Sequence, residues 1–160
     1  MQTASQKPDY NRIRTILEKK YHTYNYPRFI APDPLVLVRA YPNLYDRELC
    51  AFLASQFALG RACCITETVQ AILENLCTES PCRKQDSKES SPSTLSPFSA
   101  LLSINQLELE RRFNNFVYRF FSARDLTALL LALQNIYTYY GSLEALMAEC
   151  LKKTNQNLFC

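Results

Sequence analysis

Glycine is scarce: the 160 residues hold two, against eight prolines. A β-sandwich or barrel needs many tight turns, and this chain cannot supply them. Nor can Gly60 and Gly141, 81 residues apart, form a phosphate-cradling loop. Histidine is rarer still. The single one, His22, follows Tyr21 at the end of a helical pattern and has no Ser or Cys partner in a nucleophile motif. It reads as a cation suited to the negative end of a helix dipole. No apolar run approaches the roughly 20 residues of a membrane span. The opening residues, MQTASQKPDYNR, lack the apolar stretch of a signal peptide. The expectation is a cytoplasmic chain with no membrane partner.

What is present is an ordinary globular composition. Hydrophobic residues make up 48% and aromatic ones 12%, enough for one domain, residues 1–160, with a genuine core. The net charge of +3 permits a nucleic-acid surface without announcing one. Seven cysteines are an odd count in a chain too long to need staples, so reduced thiols are expected. Cys63 and Cys64 are adjacent and on a helix point about a quarter-turn apart, which argues against convergence on a metal. Cys77 and Cys82 have no second pair at zinc spacing. No metal and no cofactor is expected.

The apolar spacing predicts about seven helices and no convincing sheet, an all-α fold. Asp9 caps a helix carrying Ile13, Ile16, Leu17 and Tyr21. Asp33-Pro34 reads as a cap followed by a first-turn proline, which favours a helix over a strand for LVLVRAY. Asn43 caps the stretch DRELCAFLASQFALGR, whose buried stripe is Leu49, Phe52, Leu53 and Gln56 or Phe57. Gly60 ends or kinks it, and from Arg61 a second helix carries Ile65, Val69, Ile72, Leu73 and Leu76. Thr78–Pro97 is rich in Ser, Pro and charge and reads as a flexible insertion. LSINQLELERRF reads as one helix and NNFVYRFF as extended or irregular. Ser122 and Asp125 form a capping box for the clearest helix, which Gly141 ends, and Ser142 opens a last helix.

Asp33, Asp46, Glu48 and Asp125 could each serve as a general base, but each stands where a capping acid is expected. No catalytic residue is assigned. Arg61, Arg119 and Arg124 accompany Tyr118, Phe120 and Phe121, a composition suited to phosphate contact with base stacking. Arg61, Tyr118, Arg119 and Arg124 are therefore the candidate nucleic-acid-binding residues. The competing reading is an arginine–aromatic packing cluster with internal carboxylate partners.

The blocks FIAPDPL, DRE followed by LA and ALGR, FVYRF, RDLTALLLAL and YGSLEAL, within residues 17 to 147, resemble an uncharacterised bacterial family, a domain of unknown function. Its full-length members are similar to the helix–hairpin–helix DNA glycosylases, an all-α fold of two lobes with DNA between them. The resemblance implies that the helices around Gly60-Arg61 match the paired helices of the first lobe. It further implies a shortened member, lacking the half that holds an Asp-Thr-His stretch, the DNA anchor and the catalytic acid. Two functional expectations follow. One is a nucleic-acid-associated helical domain, bound to DNA or RNA and inactive alone. The other is an interaction or scaffold module whose partner is a protein or the missing half. The two separate on whether Arg61, Arg119 and Arg124 meet in an open groove or are buried against Asp46, Glu48 or Asp125.

Overall fold

The computed structural model describes residues 9–78 and 95–157, and these are helical apart from one small hairpin. Eight α-helices run in order: α1 Tyr10–Tyr24, α2 Leu35–Ala40, α3 Leu44–Gln56, α4 Ala62–Cys77, α5 Pro97–Ser103, α6 Gln106–Arg112, α7 Ala123–Tyr140 and α8 Leu143–Asn157. A 3-10 turn, Pro27–Phe29, lies between α1 and α2. Strands β1 Val117–Tyr118 and β2 Phe121–Ser122 pair antiparallel between α6 and α7.

The local signals act where the sequence puts them. Asp9 and Asn43 accept backbone N–H bonds at the starts of α1 and α3. Ser122 and Asp125 close a reciprocal capping box on α7, and Gly141 ends it at φ 78°. The β-branched run at 35–40 is helical, beginning one residue later than expected; the Asp33 carboxylate accepts from Leu35 N at 2.8 Å.

One expectation needs correction. The run 102–113 is not one helix: it holds the end of α5 and all of α6, because Asn105 caps α6 and α5 stops before Ile104. NNFVYRFF contains extended residues, and these pair in a minimal hairpin. At the two ends of the stretch expected to be a flexible insertion, Thr78 caps the end of α4, Ser96 caps α5 and Pro97 is its buried first residue. Residues 79–94 lie outside the described residues.

The core sits between α3, α4, α5 and α7. Leu49, Leu53, Val69, Leu73, Leu101, Leu126, Leu130 and Leu133 are all at or below 1% exposure. Phe98 stacks on Tyr45 and meets Tyr137 edge-on, so one ring joins α3, α5 and α7. α1 stands apart: it buries no residue, and Tyr10, Ile13, Ile16, Leu17 and Tyr21 are all exposed.

Helices in this fold also finish one another. Asp46, only 2% exposed, accepts from Phe98 N at 2.8 Å and so holds the first turn of α5. Glu48, two residues further along α3, accepts from Leu143 N and Glu144 N, both at 3.2 Å, at the start of α8. The Gln134 amide donates to Leu101 O and Ile104 O at the end of α5. The Arg112 guanidinium donates to Asn75 O and Leu76 O at the end of α4. Backbone groups left open by four helix ends thus find partners in other elements.

Candidate functional site

α3 ends at Gln56, earlier than the sequence suggests, because Phe57 turns inward as its C-cap and is fully buried. Its ring then meets Phe116, Tyr118 and Phe121 edge-on, at centroid separations of 5.8, 5.7 and 5.2 Å. This aromatic cluster docks the β1–β2 hairpin against the short α3–α4 joint. The Tyr118 hydroxyl completes the docking by donating to Leu59 O at 2.9 Å. Tyr118 is buried, so it serves as an anchor with no face open for base stacking. Phe120, at the hairpin tip, is the exposed ring instead.

Docking the hairpin brings Arg119 onto Gly60. Gly60 has φ 119°, and a Cβ there would collide with Nη2 of Arg119 and lie 3.1 Å from its Cζ. The backbone is what requires glycine here, since the guanidinium is the far end of an exposed, flexible side chain and can move aside. Arg119 has φ 59° itself, the one positive value at a non-glycine among the described residues. It is the first residue of a two-residue hairpin loop, a place that favours glycine. Holding an arginine there costs about 1–2 kcal/mol.

Arg61 follows Gly60 directly and is exposed. Arg61 and Arg119 thus flank one glycine, while Arg124 stays on the first turn of α7 and no contact brings it to Gly60. None of the three makes an ion pair among the described residues. Arg124 does help hold the Asp125 carboxyl below its ordinary range, after the larger effect of the Ser122 hydroxyl and N–H donating to it. The acids that would have buried the arginines are committed elsewhere: Asp46 and Glu48 to α5 and α8, Asp125 to Ser122. Charge is unevenly placed along the chain as well. Seven of the 18 basic residues but three of the 15 acidic ones precede Asp46.

Beside the same joint lie Cys63 and Cys64, in the first turn of α4. Their sulfur atoms are 3.9 Å apart, which corrects the expectation that they diverge. The quarter-turn about the axis is real, but both Cα–Cβ bonds tilt towards the helix N-terminus and the side-chain torsions close the remaining gap. Cys63 is exposed and Cys64 half-buried. No group of three or more His, Cys, Asp or Glu is arranged to hold a metal among the described residues. Cys77 is half-buried, and Cys82 lies outside the described residues.

Sequence reasoning missed the Arg119–Gly60 pairing and the long-range work of Asp46 and Glu48. An arginine following a buried tyrosine in an otherwise aromatic loop was the available signal for the first. No short-range signal marks the second, since the partners are 52 and 95 residues away.

No helix among the described residues is long and apolar enough to cross a membrane. No curated protein matches the chain, nor does any solved structure. A family model does match, over residues 33–159: the chain belongs to the family described as a protein of unknown function, DUF2400.

Proposed function

We propose that this chain is a nucleic-acid-associated helical module without catalytic activity of its own. The observation that carries the reading is Arg119, strained at positive φ, seated on Gly60 and without a carboxylate partner among the described residues. Strain of this kind persists where the surroundings over-determine it and is concentrated at functional positions. Arg61 beside it and exposed Phe120 at the hairpin tip add a second cation and a ring on which a base can stack. Arg124, in the first turn of α7, adds a third cation. The motif blocks resemble a family whose full-length members are similar to helix–hairpin–helix DNA glycosylases, which supports the same partner class. The absence of catalysis rests on the acids. Asp33, Asp46, Glu48 and Asp125 all spend carboxylate oxygens on backbone N–H groups at helix starts.

The test is binding to labelled single- and double-stranded DNA across a range of salt. Binding should weaken steeply with salt, because each phosphate contact releases counterions, with a logarithmic slope of about 0.9 per duplex contact. Replacing Arg61, Arg119 and Arg124 together by Gln should weaken binding and flatten that slope while helicity is retained. No binding at low salt, or unchanged binding by the triple variant, would sink the reading. Base excision or strand cleavage by the purified chain would overturn its second half.

One observation favours a protein-interaction module instead. The apolar face of α1 leaves Tyr10, Ile13, Leu17 and Tyr21 exposed, flanked by Arg14 and Glu18. An aromatic and aliphatic stripe of that kind suits the surface of another protein. Loss of DNA binding together with retained capture of a protein through α1 would favour this reading.

A further inference from the structure

We infer that Phe120 is an end-stacking ring, and that the partner of this surface is duplex DNA with an interrupted stack: a terminus, a nick or a gap. The inference rests on the nucleic-acid reading above and narrows it. Phe120 is the second residue of the two-residue loop between β1 and β2, and it is 74% exposed. Of the rings gathered at the hairpin, Phe57, Phe116, Tyr118 and Phe121 are buried or half-buried, and Phe120 alone is exposed. The ring of Phe121 backs it, with centroids 5.0 Å apart and planes inclined by 31°. Phe121 in turn meets the fully buried Phe57 at 5.2 Å. Phe120 is thus the outermost member of an aromatic column that starts in the core. One face is backed by protein and the other is open, which suits the ring to cap a stack of bases.

The mount is stiff. The loop is short, and the Tyr118 hydroxyl ties the hairpin to Leu59 O at 2.9 Å. An aromatic ring with two side-chain torsions, held this way, loses little entropy when a base lands on it. Arg119, over Gly60, and exposed Arg61 put positive charge at the joint on which the hairpin is docked. That charge is complementary to the phosphates that accompany a stacked base. Insertion into an intact duplex is a different task. It opens a base step between two bases, and the cost is offset by bending the DNA over more protein surface. Phe120 has one face to offer, and strands of two residues each give little surface to wrap. A terminus, nick or gap presents a base face without that cost. Single strands suit platforms that stack successive bases on successive rings, and a single exposed ring is not such a platform.

The experiment uses the full chain and a relaxed DNA minicircle in three forms: covalently closed, carrying a single nick, and carrying a one-nucleotide gap. A single strand of the same length is the remaining competitor. Each competes at low salt for chain bound to a fluorescent, nicked oligonucleotide duplex. The nicked and gapped circles should compete about tenfold more strongly than the closed one, the gain expected of one base–ring stack. Phe120→Ala and Phe120→Leu should abolish that preference with circular dichroism unchanged, since the side chain is exposed, and Phe120→Trp should keep it. Three outcomes overturn the inference and leave nucleic-acid association standing. They are equal competition by closed and nicked circles, a preference that survives Phe120→Ala, and a single strand that competes better than the gapped circle. Binding to none of the four DNAs overturns both readings.

Discussion

At Gly60 a single methyl group would sit on a left-handed backbone, which carries most of the cost, and would also push the flexible Arg119 guanidinium aside. Gly60→Ala should therefore destabilise the protein by about 1–2 kcal/mol in chemical denaturation. Adding Arg119→Gly should restore part of that loss, because it vacates the space and relaxes a second positive φ. Strictly additive effects would show that the two residues do not share the space. Leu130 is fully buried on the densest stripe of α7, and Leu130→Ala should cost about 2–5 kcal/mol. A change below about 1 kcal/mol would mean that the site collapses freely around the smaller side chain. Burial also predicts an alkaline weakness. The Cys50 thiol is pushed up to about 11 by burial. Tyr41 is pushed up to about 12, by burial first and then by Cys50, Cys77 and Asp46 nearby. Both groups ionise earlier when unfolded, so the unfolded state binds fewer protons and stability falls from about pH 9 upward. Denaturation midpoints should decline across that window, less steeply in Cys50→Ala. Equal slopes would remove Cys50 from the explanation.

Helices here depend on groups outside themselves, and Glu48 is the clearest case. Glu48→Ala leaves Leu143 N and Glu144 N without their acceptor. A lost cap costs about 1 kcal/mol, and the first turn of α8 should lose amide-exchange protection before α7 does. Unchanged protection there would show that Ser142, which accepts from Ala145 N, caps α8 alone. This is also where legibility in the sequence divides. The Ser122–Asp125 box, the Asn43 cap and the Gly141 stop were readable because each signal and its partner lie within four residues. The buried stripe of α4 was readable because Ile65, Val69, Ile72, Leu73 and Leu76 keep helical spacing through to burial. The targets of Asp46 and Glu48 were not, because a first-turn acid looks the same whether it serves its own helix or another. The candidate arginines were readable as a composition. The seating of Arg119 on Gly60 depends on a hairpin that four strand residues barely announce.

Over the whole molecule, the amphipathic pattern of α1 predicted a helix and delivered one, but periodicity says only that a face exists and not what covers it. Because α1 buries no residue and precedes the family match, a chain begun at Asn25 should unfold within about 0.5 kcal/mol of the full one. A larger loss would mean that α1 packs on the body more firmly than its exposed side chains indicate. The two carboxylates of α3 bear on timing as well. Their bonds to Phe98 and Leu143 close stretches of 52 and 95 residues, and closing entropy grows with the length of chain enclosed. Neither bond can form until the later helices have been delivered to α3, so both belong to the end of folding. In a refolding experiment with pulsed isotope labelling, the amides of Leu143 and Glu144 should be among the last to become protected. Interior amides of α4 and α7, whose hydrogen bonds close within one turn, should already be slow to exchange by then.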